Sequence, residues 1–161
     1  MDQLTEYVPG QIWLLEYPVR FAGMELFGRT TIIRLENGEL IVHDPCVVIE
    51  NIKDQINDLG VVKYIIAPGT YHHLYVAEFQ EAYPDAETFL CPGLESKRPD
   101  LNFDWLLGNK VDNRWADVLE QVLLQGTRYI TEVAFFHKPS DTLILVDLLE
   151  NIGDDYQHQA G

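Results

Sequence analysis

The sequence predicts a mixed α/β chain of the α+β kind, with strands first, a βαβα middle and strands again at the end. Three observations predict it. Asn37-Gly38 stands between two apolar runs, one of them β-branched, which is the strongest short hairpin signal in the chain. Between about Leu40 and Cys91, extended runs alternate with helical spacing, the pattern of a βαβ layer. After Val118 the chain returns to strand-like runs, and Pro139-Ser140-Asp141 separates the last two.

Ile12-Trp13-Leu14-Leu15 opens the first apolar run, and Pro9-Gly10 before it and Pro18 after it bound a strand. Gly28 to Leu35, carrying Thr30-Thr31-Ile32-Ile33, is the second strand. Asn37-Gly38 joins it to Glu39-Leu40-Ile41-Val42-His43 as an antiparallel pair. Past Pro45 the period changes. Ile49, Ile52, Ile56 and Leu59 recur at helical spacing, and Gly60 stops that helix. Val61 to Ala67 is almost continuously apolar, as a strand covered on both faces must be, and it ends at Pro68-Gly69. A second helix is expected from His72 or His73 to Ala82, burying Val76 and Phe79 and closed by Pro84. Thr88-Phe89-Leu90-Cys91 is the next short strand. Ser96-Lys97-Arg98-Pro99-Asp100 reads as a surface turn with an unusual share of the positive charge. Val118 to Leu124, Glu132 to Phe136 and Thr142 to Val146 are the closing strands, the last two forming a hairpin.

The 161 residues suit a single domain, with a core at about residues 8–152 and a polar, loose tail at 153–161. Hydrophobic residues at 47% and charged residues at 23% exclude wholesale disorder. No apolar run approaches the roughly 20 residues that cross a bilayer, so no membrane role is expected. Met1 to Glu6 is acidic and polar, unlike a signal peptide. Cys46 and Cys91 are too few for a disulfide framework and too far apart for a redox pair, so a cytoplasmic chain with reduced thiols is expected. A net charge of −15 repels phosphate backbones and argues against nucleic acid as a partner.

The histidines are His43, His72, His73, His137 and His158. His72-His73 follows a buried strand and precedes a helix, where ligand and catalytic groups gather in an α/β layer. Adjacent residues on a regular helix point about 100° apart, so both histidines reach one metal only where His72 still lies in the loop. The plainer reading has one of them capping or packing and the other solvated. Asp147 and Asp44 each stand at a strand end and are candidates for catalysis or, more plainly, for turns and caps. Glu132, directly before a hydrophobic strand, reads as structural, and His137 as an exposed residue at a hairpin entry. No GxSxG, GxGxxG, Walker or HExxH pattern occurs. Both cysteines read as buried, inert thiols.

The order of hairpin, Asp44, helix, buried strand, histidine loop and late Asp147 resembles the metallo-β-lactamase fold, and within it the DUF4336 group. The motifs that carry the resemblance are Ile66-Ala67-Pro68-Gly69-Thr70-Tyr71-His72-His73-Leu74-Tyr75, Tyr83-Pro84-Asp85-Ala86, Cys91-Pro92-Gly93-Leu94 with Lys97-Arg98-Pro99-Asp100-Leu101, and Glu132 to His137 with Ser140 to Leu148. They span about Val8 to Asn151. The resemblance implies a β-sandwich flanked by helices with its second half shortened, lacking a final helix and strand. That shortening implies a surface which a second copy of the chain would cover, a homo-oligomer.

The superfamily's HxHxDH loop is degenerate here. With its last histidine on His73, His72 stands where an aspartate belongs, and the first two histidines fall on Pro68 and Thr70. The later metal-binding histidine falls near Arg128, and only His158 is available for the last one. One of the two metal positions is thereby lost, and with it the bound hydroxide nucleophile. The other retains His72, His73 and Asp147, a sound set for one zinc or iron ion. Three readings stand: a non-catalytic binding or structural protein without a cofactor, a mononuclear metal-dependent hydrolase, and a metal-free enzyme with His73 as general base oriented by Asp44 or Asp147. Tyr71 and Tyr75, flanking the histidines, suit a small organic ligand in each.

Overall fold

A computed structural model describes residues 3–21 and 23–149. The expected tail at 153–161, His158 included, lies outside the described residues. The strands are β1 (Thr5–Val8), β2 (Ile12–Phe21), β3 (Met24–Arg34), β4 (Glu39–His43), β5 (Val61–Ala67), β6 (Glu87–Leu90), β7 (Trp105–Leu106), β8 (Leu119–Leu124), β9 (Glu132–His137) and β10 (Thr142–Ile144). The helices are α1 (Glu50–Leu59), α2 (Val76–Ala82) and the single turn α3 (Leu94–Lys97).

β1 to β7 form a seven-stranded sheet in chain order, antiparallel as far as β4 and parallel from β4 to β7. β10, β9 and β8 form a second, antiparallel sheet of three. Alternation along β4 and β5 explains why these strands carry no polar face. Ile41 and Ile66 point into a core shared with Leu119, Val133, Phe135 and Ile144 of the second sheet. Their neighbours Val42 and Ile65 point the other way, beneath Ile52 and Ile56 of α1 and Phe79 of α2. The sandwich flanked by helices is the mixed α/β architecture expected. On the second sheet, Val122 and Leu143 are 50% and 58% exposed, as an uncovered face requires.

The Asn37-Gly38 hairpin forms, with Gly38 at φ 82 and Ile33 opposite Ile41. Several boundaries differ from those read in the sequence, the start of β3 at Met24 rather than Gly28 among them. β2 continues through Pro18 to Phe21, because beyond Leu14 it pairs only with β3 and an open edge tolerates a residue without an N–H. α2 starts at Val76 rather than at His72 or His73, and β10 stops at Ile144 rather than Val146. Long-range contacts of the site cause both of these differences.

Gly60, after α1, has extended backbone that any residue adopts, so its glycine is explained by contact rather than conformation. A Cβ there would clash with the Gly38 carbonyl oxygen, held in the hairpin turn. Gly60→Ala is expected to destabilise the fold by about 1–3 kcal/mol, the usual penalty for overpacking. Urea denaturation measures it, and a loss below about 0.5 kcal/mol, the range of neutral surface changes, would show that the contact relaxes freely.

Candidate functional site

The site lies where β4 and β5 end. Asp44 follows β4 in a left-handed conformation at φ 57, and its side chain is buried. Its N–H donates to the Ile66 carbonyl at 2.9 Å, and its own carbonyl accepts from the Thr30 hydroxyl. The backbone is therefore pinned to both neighbouring strands. Beyond β5 the loop is stitched to the second sheet: Val133 N–H donates to the Pro68 carbonyl at 2.7 Å, and Thr70 N–H to the Thr131 carbonyl at 3.2 Å. Gly69 sits inside this seam, where a Cβ would meet His72 Cδ2 at 3.3 Å and Val146 at 3.4 Å.

Glu132, completely buried at the start of β9, has the structural role expected of it, whereas His137, expected to be exposed, is fully buried at the other end of that strand with Nδ1 2.7 Å from the Ser140 hydroxyl. The Glu132 carboxylate accepts the backbone N–H groups of Val146, Asp147 and Leu148, at 3.3, 2.9 and 2.7 Å. Charge-assisted bonds of this kind are stronger than neutral ladder bonds, so the chain leaves the β10 ladder early and turns Asp147 inward.

His72 lies between two carboxylates. Nδ1 is 2.8 Å from Asp44 Oδ2, and Nε2 is 3.1 Å from Asp147 Oδ1. Burial opposes a charge on this ring, but the hydrogen bonds to Asp147 and Asp44 outweigh it and raise the imidazole to about 10. Burial likewise raises Asp44 above the usual carboxylate range, against the pull of His72. At neutral pH His72 is an imidazolium donating one N–H to each acid. Asp147 Oδ2 is buried and has no partner among the described residues.

His73 belongs to a different cluster. Arg98 Nη1 donates to His73 Nδ1 at 2.8 Å, while Nε and Nη2 of the same guanidinium fork onto Asp100 at 2.8 and 2.6 Å. An always-protonated donor on Nδ1 leaves the remaining proton of a neutral ring on Nε2. Burial, Lys97 and Arg98 together lower the His73 pKa. Tyr71 carries the Lys97 ammonium 4.0 Å over its ring, whereas Tyr75 packs edge-on to Tyr17 at 5.6 Å, so the two tyrosines have separate neighbours. Cys46 and Cys91 are buried, and burial pushes them to about 11 and about 12.

Two participants were not singled out in the sequence. His43 is fully buried, edge-on to Phe135 at 5.5 Å, with neither ring nitrogen bonded among the described residues; burial and the His72 charge lower it to about 3. Its place next to Asp44 at a strand end was the available signal. Arg98 carried only the signal of a charged surface turn.

The family model described as a domain of unknown function, DUF4336, matches residues 9–158. The chain belongs to the DUF4336 family. No curated protein matches it. Solved metallo-β-lactamases share its fold. The DIM-1 metallo-β-lactamase exposed to ceftazidime superposes with a TM-score of 0.67 at 12% identity, covering 86% of this chain and 67% of that one. A metallo-β-lactamase from Hirschia baltica gives 0.67 at 9%, covering 88% and 68%. The FIM-1 enzyme from Pseudomonas aeruginosa in its mono-zinc form gives 0.60 at 10%, covering 83% and 63%. The DUF4336 chain thus spans about two thirds of the length of these solved chains.

The described donors of this chain are not arranged around one zinc position. Among the described residues no group of three or more His, Cys, Asp or Glu side chains is arranged to hold a metal. His72, His73 and Asp147 are not gathered as that reading required. Both nitrogens of His72 are committed to carboxylates, and Nδ1 of His73 faces a guanidinium.

His43 and the half-buried His72 give stability a pH dependence on each side of their ordinary value of 6.5. His72, raised when folded, stabilises fully below that value and loses its contribution as pH climbs through about 10. His43, lowered when folded, contributes above it and loses its contribution as pH falls through about 3. The thermal midpoint is therefore expected to decline on both sides of roughly pH 6.5, with His72→Gln flattening the alkaline limb and His43→Leu the acid limb. An alkaline limb that survives in His72→Gln would assign it to other groups.

Proposed function

We propose that this DUF4336 protein is a non-catalytic binding or structural member of the metallo-β-lactamase fold, in which a protonated histidine joins the strand-end carboxylates. The observation that carries this reading is His72, bonded through both ring nitrogens to Asp44 and Asp147. An imidazolium so placed supplies the positive charge that two partly buried acids need, and it leaves no lone pair for a Lewis acid. It provides no bound hydroxide. His73, the remaining candidate for a general base, has its Nδ1 lone pair on Arg98.

A second reading, a mononuclear metal-dependent hydrolase using His72, His73 and Asp147, is favoured by one observation. Asp147 Oδ2 is a buried acceptor without a partner, which a cation or a water would satisfy. Binding a metal there would require His72 to give up a proton and a carboxylate.

Elemental analysis of protein purified without chelators separates the two readings. We expect less than about 0.1 equivalent of zinc or iron, and no rise in thermal midpoint when zinc is added, because a ligand that binds only the folded state would raise it. Near-stoichiometric metal that His72→Ala and Asp147→Ala both lose would overturn the proposal in favour of the hydrolase.

A further inference from the structure

We propose that a cavity at the opposite end of the first sheet binds a small organic monocarboxylate, with Arg34 as the group that holds the anion. Arg34 ends β3 opposite Leu40, three rungs from the Thr31–His43 pair, so it lies roughly 10 Å along the strands from the His72 site. The cavity holds about 320 Å³ and is walled by Leu35, Val118 and Pro139, with Gly10 and Glu36 at its edge.

The guanidinium is held but not satisfied. Its carbon sits 4.7 Å above the buried Trp13 ring, and its backbone N–H donates to the Gln11 carbonyl at 2.9 Å. Arg34 Nε is buried and has no acceptor, and no carboxylate pairs with this guanidinium among the described residues. Arg29, Arg98 and Arg114 each hold at least one acid. Glu36 lines the same cavity but does not pair with Arg34, so among the described residues no acid answers this guanidinium. Leaving a charged N–H unsatisfied is costly, and the group that answers a planar guanidinium best is a carboxylate received in two parallel hydrogen bonds.

The walls decide the rest of the ligand. Leu35 and Val118 are buried apolar residues, so the body of the molecule is apolar. Glu36 adds a negative charge at the edge, and one guanidinium does not offset two further charges, so dianions such as phosphate are disfavoured. The small volume sets a limit of a single ring or a short chain.

Titration of the ¹⁵N-labelled full chain with sodium benzoate tests the proposal, with benzyl alcohol and inorganic phosphate as controls. Benzoate is expected to shift the amides of Gly10, Gln11 and Leu35 saturably, and both controls to bind at least about tenfold more weakly, the worth of a charge-assisted hydrogen bond. Arg34→Gln should weaken benzoate about tenfold, and Glu36→Gln should tighten it about twofold, as removal of a nearby like charge does. Equal binding of benzyl alcohol, shifts centred on Lys97 and Arg98, unchanged affinity in Arg34→Gln, or no saturable shift would each overturn the assignment. Should Arg34→Gln fail to fold, Glu36→Gln decides, and unchanged or weaker binding there would overturn it.

Discussion

Asp44 and Asp147 bring two negative charges to one place at the mouth of the sandwich, and the structure depends on the single imidazolium between them. Among the described residues neither carboxylate has another cation, so removing His72 would leave like charges facing each other in a partly dry pocket. The pairing is a bond between distant segments as much as a local contact. Asp44 belongs to the end of β4, His72 to the loop after β5, and Asp147 to the turn after β10 of the second sheet. One proton thereby ties the two sheets together at this edge.

The surrounding construction serves that arrangement. Glu132 spends its carboxylate on the three N–H groups around Asp147, which fixes where that acid points. Pro68 and Gly69 are seamed to β9, and the glycine leaves room for the His72 ring. His43, one residue before Asp44, presents a neutral ring to the positive one and accepts burial without hydrogen bonds. The cost of that unsatisfied ring falls on the same few residues, which is where strain and orphaned polar groups are expected to gather in a site shaped for a task.

Most of the fold was legible because its signals are local. The alternation of Ile65 and Ile66, or of Ile41 and Val42, needs only a strand with two covered faces, and Asn37-Gly38 needs only its own backbone. The misread boundaries depend on contacts far along the chain. Val76 and Phe79 marked α2 correctly, but its start was set by the pull of Asp44 and Asp147 on His72 and of Arg98 on His73. Pro18 marks a strand end only in a strand paired on both edges, and the sequence does not say which edge is open. At the site, Asp44, His72 and Asp147 were each visible as residues at the ends of apolar runs. Their partnership was not, since adjacency favours His72 with His73, whereas the contacts reach across 28 and 75 positions. Arg98 looked like surface charge because its Asp100 neighbour accounts for it locally, while its third contact, to His73, does not show in spacing.

The most direct test of this account is the protonation state of His72, read from its ring ¹⁵N chemical shifts in selectively labelled protein. The account predicts that both nitrogens show imidazolium shifts and attached protons at pH 8, with titration only well above neutrality. A ring that titrates near its ordinary value of 6.5, or that shows one unprotonated nitrogen at pH 8, would contradict it and return the site to a form able to bind a metal.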